Sequence, residues 1–178
     1  AAAGGVGLIA TQWAKHRGCT VIGTVGSDDK IAIAKAHGCD HVINYRTENT
    51  VERVKEITGG KKVPVVYDGV GKDTFMTSLD CLAPRGFLVS FGNASGPVTG
   101  VDLGILATKG SLYVTRPTLA TYAASPKDYA EIGAEVFDVV AKGAVKIEIN
   151  QRYKLADAAQ AHRDLEARKT TGATVLVP

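Results

Sequence analysis

The sequence predicts an α/β fold built on a doubly wound parallel sheet. Two observations carry that reading. Up to residue 115, helix-like and β-branched segments alternate without a break, and strands joined by helical crossovers run parallel with helices on both faces. The chain also opens on a glycine-rich turn, Ala2-x-Gly4-x-x-Gly7, that leads straight into an apolar-faced helical segment.

Each element has its own local reason. Gly7 to His16 reads as a helix whose apolar face is Leu8, Ile9, Ala10, Trp13 and Ala14, ended by Arg17-Gly18. Thr20 to Val25 is a β-branched run and predicts a buried strand. Ser27 and Asp28 are read as caps for a helix from Asp29 to Ala36, which stops at Gly38. His41 to Asn44 is the next strand, and Thr47-Glu48-Asn49 caps a helix to Thr58. A strand over Pro64–Asp68, a helix over Asp73–Leu82 and a strand over Gly86–Phe91 follow, then the loop Gly92–Pro97. Residues 102–108 predict a short helix, 111–115 a strand stopped by Arg116-Pro117, and 126–142 a long helix. Val145–Ile149 alternates and predicts a strand; Leu155–Arg168 predicts an amphipathic helix and Ala173–Val177 a last strand.

Composition narrows the function classes. The chain has 178 residues, 45% apolar and 22% charged, which suits one soluble domain with a sizeable core. A net charge of +3 argues against nucleic acid as a partner, although Lys61-Lys62 forms a small basic patch. No apolar run approaches the roughly 18 residues of a membrane span. Cys19, Cys39 and Cys81 form no CxxC pair and no Cys/His cluster, which argues against zinc and against a disulfide framework and fits a reducing, cytoplasmic setting. His16, His37, His41 and His162 are scattered and read as surface or helix-end residues.

The glycine turn carries the chemistry. Ala2-x-Gly4-x-x-Gly7, or A-x-x-G-x-x-G counted from Ala1, is a variant of the dinucleotide fingerprint. Gly4 would let the backbone approach a pyrophosphate, Gly7 would let the helix pack closely on the sheet, and the helix start would offer N–H groups to phosphates. The plain alternative is a tight turn with no ligand.

The end of the following strand tests the cofactor. An acid that would hold a ribose 2′-OH stands about 20 residues on in NAD-preferring sites. Here that place is Gly26-Ser27, and Lys30 follows within a turn of helix. A cation suits a 2′-phosphate, which favours NADPH. Asp28 and Asp29 could repel that phosphate, and their bland reading is helix capping. Tyr45 stands at the same sheet edge, where it could donate to the phosphate or stack on adenine. Asp68-Gly69-Val70-Gly71 and Gly92-Asn93-Ala94-Ser95-Gly96 also sit at strand carboxyl ends, and their glycines suit the approach of a flat ring. Each could equally be a simple turn. Tyr67 and Asp68 are read as structural, and no acid–base pair demands a catalytic role.

Together, Ala2–Gly7, Ile43-Asn44-Tyr45-Arg46, Val66–Gly71, Ser90–Asn93 and Gly110–Pro117 resemble the quinone oxidoreductases. These are the zinc-free, zeta-crystallin-like branch of the medium-chain dehydrogenase/reductase superfamily, and the resemblance is strongest to its bacterial NADPH-dependent members. It implies a Rossmann-type cofactor domain that passes hydride from NADPH to a quinone. It also implies that Ala3, Gly4, Gly5, Val6, Gly7, Gly26, Ser27, Lys30, Tyr45, Val70, Phe91, Asn93 and Arg168 contact the cofactor, with Arg168 reaching the 2′-phosphate and Phe91 and Asn93 near the nicotinamide. No metal is implied, and strand 111–115 matches the edge through which such enzymes form dimers.

One departure is large: the family places a GroES-like catalytic domain and a first Rossmann strand ahead of the glycine turn, and the sequence as given starts at that turn. The expectation is therefore a portion of a longer protein, with a cofactor domain over 1–143 and a return segment of the catalytic domain over 144–178. The missing strand is central in the order 3-2-1-4-5-6, and residues 173–177 are the candidate to fill its gap. The rival functions are a non-catalytic NADPH-binding or oligomerisation piece and an enoyl-type reductase of the same branch.

Overall fold

The computed structural model describes residues 2–178; Ala1, the first position of the wider glycine pattern, lies outside them. The chain folds into two compact units, one of Ala1–Thr47 with Ala134–Pro178 and one of Glu48–Gly133.

In the first unit, helix α1 (Gly5–His16) leads to strand β1 (Ile22–Val25), helix α2 (Asp29–Ala36) and strand β2 (His41–Asn44). Strands β1 and β2 pair in parallel from Ile22↔His41 to Val25↔Asn44, as a helical crossover requires. Their core is Ala2, Ala3, Val25, Ala34 and Cys39, with Val21, Ile31, Ile33 and Val42 against it. The N–H of Ala2 donates to the Thr24 carbonyl at 2.9 Å, so the chain entering the glycine turn already runs beside β1.

The second unit holds helix α3 (Thr50–Ile57), strand β3 (Val63–Asp68), helix α4 (Phe75–Asp80), strand β4 (Leu82–Ser90), helix α5 (Gly104–Thr108), strand β5 (Tyr113–Thr115) and helix α6 (Leu119–Tyr122). The strands form a parallel sheet in the order β3-β4-β5. One face is closed by Phe75, Leu79, Leu82, Leu88 and Leu112. Leu79, Leu82 and Leu88 are fully buried, each worth about 1.5–3 kcal/mol over exposure. The alternate residues Val65, Tyr67, Phe87 and Tyr113 are exposed, and the Phe87 and Tyr113 rings stack at 4.6 Å. Tyr67 is thus an exposed aromatic on the sheet.

Helix α7 (Pro126–Ala141) supplies residues to both units and leads to strand β6 (Ile149–Lys154), a short 3-10 turn over Leu155–Asp157, helix α8 (Ala158–Glu166) and strand β7 (Ala173–Val177). Strands β6 and β7 form their own parallel pair. Residues 173–177 therefore do not fill a gap beside β1, because their partner is β6. Gly172, just before β7, touches the glycine turn through a parallel bridge to Gly4.

The parallel α/β class expected from the alternation is the one observed, with particular departures. Helix α1 starts two residues before the expected Gly7, because Gly5 and Val6 already adopt the helix. The strand expected at Val145–Ile149 is displaced to Ile149–Lys154. The side-chain amide of Gln12 explains it: Gln12 Nε2 donates to the Lys146 carbonyl at 3.0 Å, and its Oε1 accepts from the Lys146 N–H at 3.0 Å. That exchange satisfies the backbone of Lys146 without a neighbouring strand. Helix α4 stops at Asp80 because Leu82 pairs with Val63 as the start of β4.

Candidate cofactor site

One group of candidate residues lies in the first unit. Gly4 precedes α1 in an extended conformation and offers no side-chain cap, and the first turn of the helix contains no acid. The leading N–H groups of α1 are thus left to an outside acceptor, as an anion site requires. Ala3 is buried, Val6 is 63% exposed, and a Cβ on Gly5 would lie 3.3 Å from the Gly172 carbonyl oxygen. The bare turn is a cradle that side chains would fill.

Three residues singled out at distant points of the sequence converge next to it. Lys30 Nζ donates to the carbonyl of Arg168 at 2.7 Å and to that of Thr170 at 3.3 Å. Arg168 Nη1 donates to the Tyr45 hydroxyl at 3.3 Å. A Cβ on Gly26 would come within 2.5 Å of that hydroxyl; the absence of a side chain at Gly26 makes room for Tyr45. Ser27 lies at the same strand end, half-buried. Neither Lys30 nor Arg168 has a carboxylate partner among the described residues. A cluster of two cations and a phenol suits a 2′-phosphate, so the residues present fit a 2′-phosphorylated dinucleotide.

The capping role expected of Asp28 is corrected by the structure. Asp28 makes no cap hydrogen bond; its carboxylate accepts from the Asn44 amide at 2.7 Å. By contrast, Asn49 caps α3 as expected, accepting from the N–H groups of Val51 and Glu52.

The second unit carries its own candidate residues, in the loops after β3 and β4. Asp68 is 5% exposed and anchors its loop. Its carboxylate accepts from the N–H groups of Val70 (2.8 Å) and Gly71 (3.1 Å) and from the hydroxyls of Thr74 (2.7 Å) and Ser78 (2.7 Å). Burial alone would raise this carboxyl's pKa, but these bonds outweigh it and hold the pKa below the ordinary value. The structural reading of Asp68 fits this network.

The two loops are laced together. Phe91 N–H donates to the Asp68 carbonyl at 2.8 Å, and Ser95 N–H to the Val70 carbonyl at 2.8 Å. A Cβ on Gly92 would overlap the Gly69 carbonyl oxygen, and one on Gly69 would lie 2.9 Å from the Phe91 ring. These glycines therefore allow the approach of one loop to the other. Val70 is half-buried, and Phe91 and Asn93 are exposed on this loop pair. With its amide oriented to satisfy both neighbours, Asn93 accepts from Arg116 Nη2 at 3.3 Å and donates to the Gly92 carbonyl at 2.9 Å. Arg116 Nη1 also donates to the Ser90 carbonyl at 2.8 Å. Sequence reading missed this role, having seen Arg116 only as a strand stop. It also missed Asn44, for which a buried amide at the end of an apolar strand was the available signal.

Comparison with known proteins follows the same lines. The family model for zinc-binding dehydrogenases matches residues 5–140. A quinone oxidoreductase of Pseudomonas aeruginosa is 62% identical over 178 residues, all of this chain and 55% of the other. A 2-haloacrylate reductase of Burkholderia sp. is 46% identical over 182 residues, all of this chain and 54% of the other. The crystal structure of Escherichia coli quinone oxidoreductase complexed with NADPH superimposes with a TM-score of 0.97 at 57% identity, over 100% of this chain and 55% of that one. The chain thus spans about half the length of these relatives.

Proposed function

The chain belongs to the zinc-binding dehydrogenase family, and on that premise we propose that it is the cofactor-holding portion of an NADPH-dependent oxidoreductase that delivers hydride to a quinone. The observation that carries this reading is the convergence of Lys30, Tyr45 and Arg168 beside a glycine turn with no acid at Gly26-Ser27. In this reading Ala3–Gly7 hold the pyrophosphate on the start of α1, and Gly26, Ser27, Lys30, Tyr45 and Arg168 surround the 2′-phosphate. Val70, Phe91 and Asn93 contact the nicotinamide side. The bound cofactor supplies a hydride from its dihydronicotinamide C4, and a proton completes the hydroquinone. The chain's own residues bind and orient it.

Residues 1–143 are the cofactor domain and 144–178 a return segment of a catalytic domain, and the 178-residue chain by itself does not turn over. Zinc independence rests on the resemblance to the zinc-free branch. A cytoplasmic setting is supported by three free cysteines, and no described helix is long and apolar enough to cross a membrane. A homodimer through 111–115 is supported by the exposed, β-branched and aromatic strand β5 at the edge of its sheet.

A second reading, reduction of an activated enoyl substrate, is favoured by the likeness to the 2-haloacrylate reductase. The test is comparative titration of the chain with NADPH and NADH. Tighter NADPH binding that Lys30→Glu abolishes is expected, and equal affinities would overturn the cofactor assignment. Steady-state assays of the longer protein with a quinone and with a haloacrylate then separate the two substrates.

A further inference from the structure

We infer that the turn Arg168–Gly172 is a strap across the cofactor contacts of the first unit, and that Lys30 holds it shut and so positions Arg168. The inference deepens the reading above and rests on it for the identity of the ligand, a 2′-phosphorylated adenosine.

Four hydrogen bonds at three residues define the strap. Its first residue, Arg168, reaches the Tyr45 hydroxyl with its guanidinium. Its first and third carbonyls, of Arg168 and Thr170, both accept from Lys30 Nζ. Its last residue, Gly172, donates its N–H to the Ala3 carbonyl at 2.9 Å and bridges Gly4. Three of its five residues, Arg168, Thr170 and Gly172, thus touch Tyr45 just past β2, Lys30 in the first turn of α2, and the glycine turn. The strap starts just past the end of α8, where Arg168 takes a left-handed φ of 59°. Carbonyls leaving a helix C-terminus attract a cation, and Lys30 is that cation.

Lys30 therefore has a task before any ligand arrives. Its ammonium is held by main-chain carbonyls, and through them it fixes where the Arg168 guanidinium stands. Lys169 is tied elsewhere, to Asp164 at 3.6 Å. The acids beside Lys30 in sequence are Asp28, engaged by Asn44, and the exposed Asp29. Two cations, Lys30 on α2 and Arg168 in the strap, meet without a carboxylate partner among the described residues; they gain from a dianionic phosphate, so a 2′-phosphate tightens the strap, whereas a 2′-hydroxyl does not.

The experiment uses the full chain, hydrogen exchange of its amides, and two probes, adenosine 2′,5′-bisphosphate and 5′-AMP. In the ligand-free protein, Lys30→Met is expected to speed exchange at Lys169–Gly172 by about tenfold while α1 keeps its protection. If α1 also loses protection, Lys30→Gln is read in the same way. The bisphosphate is expected to slow exchange in the strap of the unsubstituted chain, and 5′-AMP to leave it unchanged. The losses of bisphosphate affinity in Lys30→Met and Arg168→Ala are expected not to multiply in the double variant. Unchanged strap exchange in the ligand-free Lys30 variants, or losses that multiply, would overturn the inference. Equal binding of both probes would instead strike the cofactor reading, and the ligand-free exchange still decides the strap.

Discussion

The Asn44 side-chain amide donates to the Asp28 carboxylate at 2.7 Å, and its own oxygen accepts from the Arg46 N–H at 3.1 Å. This pair settles a tension in the sequence, where an acid stands two residues from the glycine that replaces the ribose-binding acid. The acid is there, but it is held by a buried amide at the end of β2.

Releasing Asp28 therefore changes cofactor preference. Asn44→Leu is expected to weaken NADPH binding by about three- to tenfold, the scale of a water-screened repulsion, and to leave NADH binding nearly unchanged. Paired titrations with the two nucleotides check this. Equal losses for both would show that Asn44 acts on general stability alone.

The Asp68 network predicts an acid-sensitive second unit. A carboxyl whose folded pKa is depressed contributes stability above its unfolded value and loses it as pH falls through the folded value. The wild-type chain should therefore lose this contribution below about pH 4. Asp68→Asn should cost about 2–3 kcal/mol at neutral pH and less at pH 3. Denaturant unfolding of both proteins at the two pH values measures the difference.

The thiols should separate by burial. Cys81 is buried, and burial first, then the neighbouring Asp80, pushes its pKa up to about 11. Burial also raises that of Cys39. At pH 8 in the folded chain only the exposed Cys19 should react promptly with a disulfide reagent, since the thiolate is the nucleophile. All three should react once the chain is unfolded. Prompt labelling of Cys81 in the folded state would contradict the packing around α4.

The edge of β5 gives the assembly test. Val114 pairs with Leu88 on one side and is 40% exposed. A lysine on an edge strand blocks pairing with another chain. Val114→Lys is expected to convert a dimer to a monomer in sedimentation velocity without loss of helix signal. A dimer of unchanged stability would move the interface elsewhere.

Local physics reaches far in this protein. The β-branched run ending at Val25, the cap at Asn49, and the matching bounds of α2, β2 and β7 were legible because each is set by neighbours in sequence. So were the glycine turn and the candidate residues Gly26, Lys30 and Tyr45, which lie close together along the chain. Other features depend on partners far away in sequence. The 145–149 segment alternates like a strand, yet a glutamine more than a hundred positions earlier takes its backbone bonds. Gly69 and Gly92 look like ligand glycines, yet each is needed by the other's loop. Asp28 looks like a cap, yet Asn44 holds it. The sequence by itself determined the alternation of elements, the phosphate-ready helix start and the kind of cofactor chemistry. Only the tertiary structure decided which polar groups were already engaged, because a hydrogen bond is made with whatever folding brings within about 3 Å, whatever the separation along the chain.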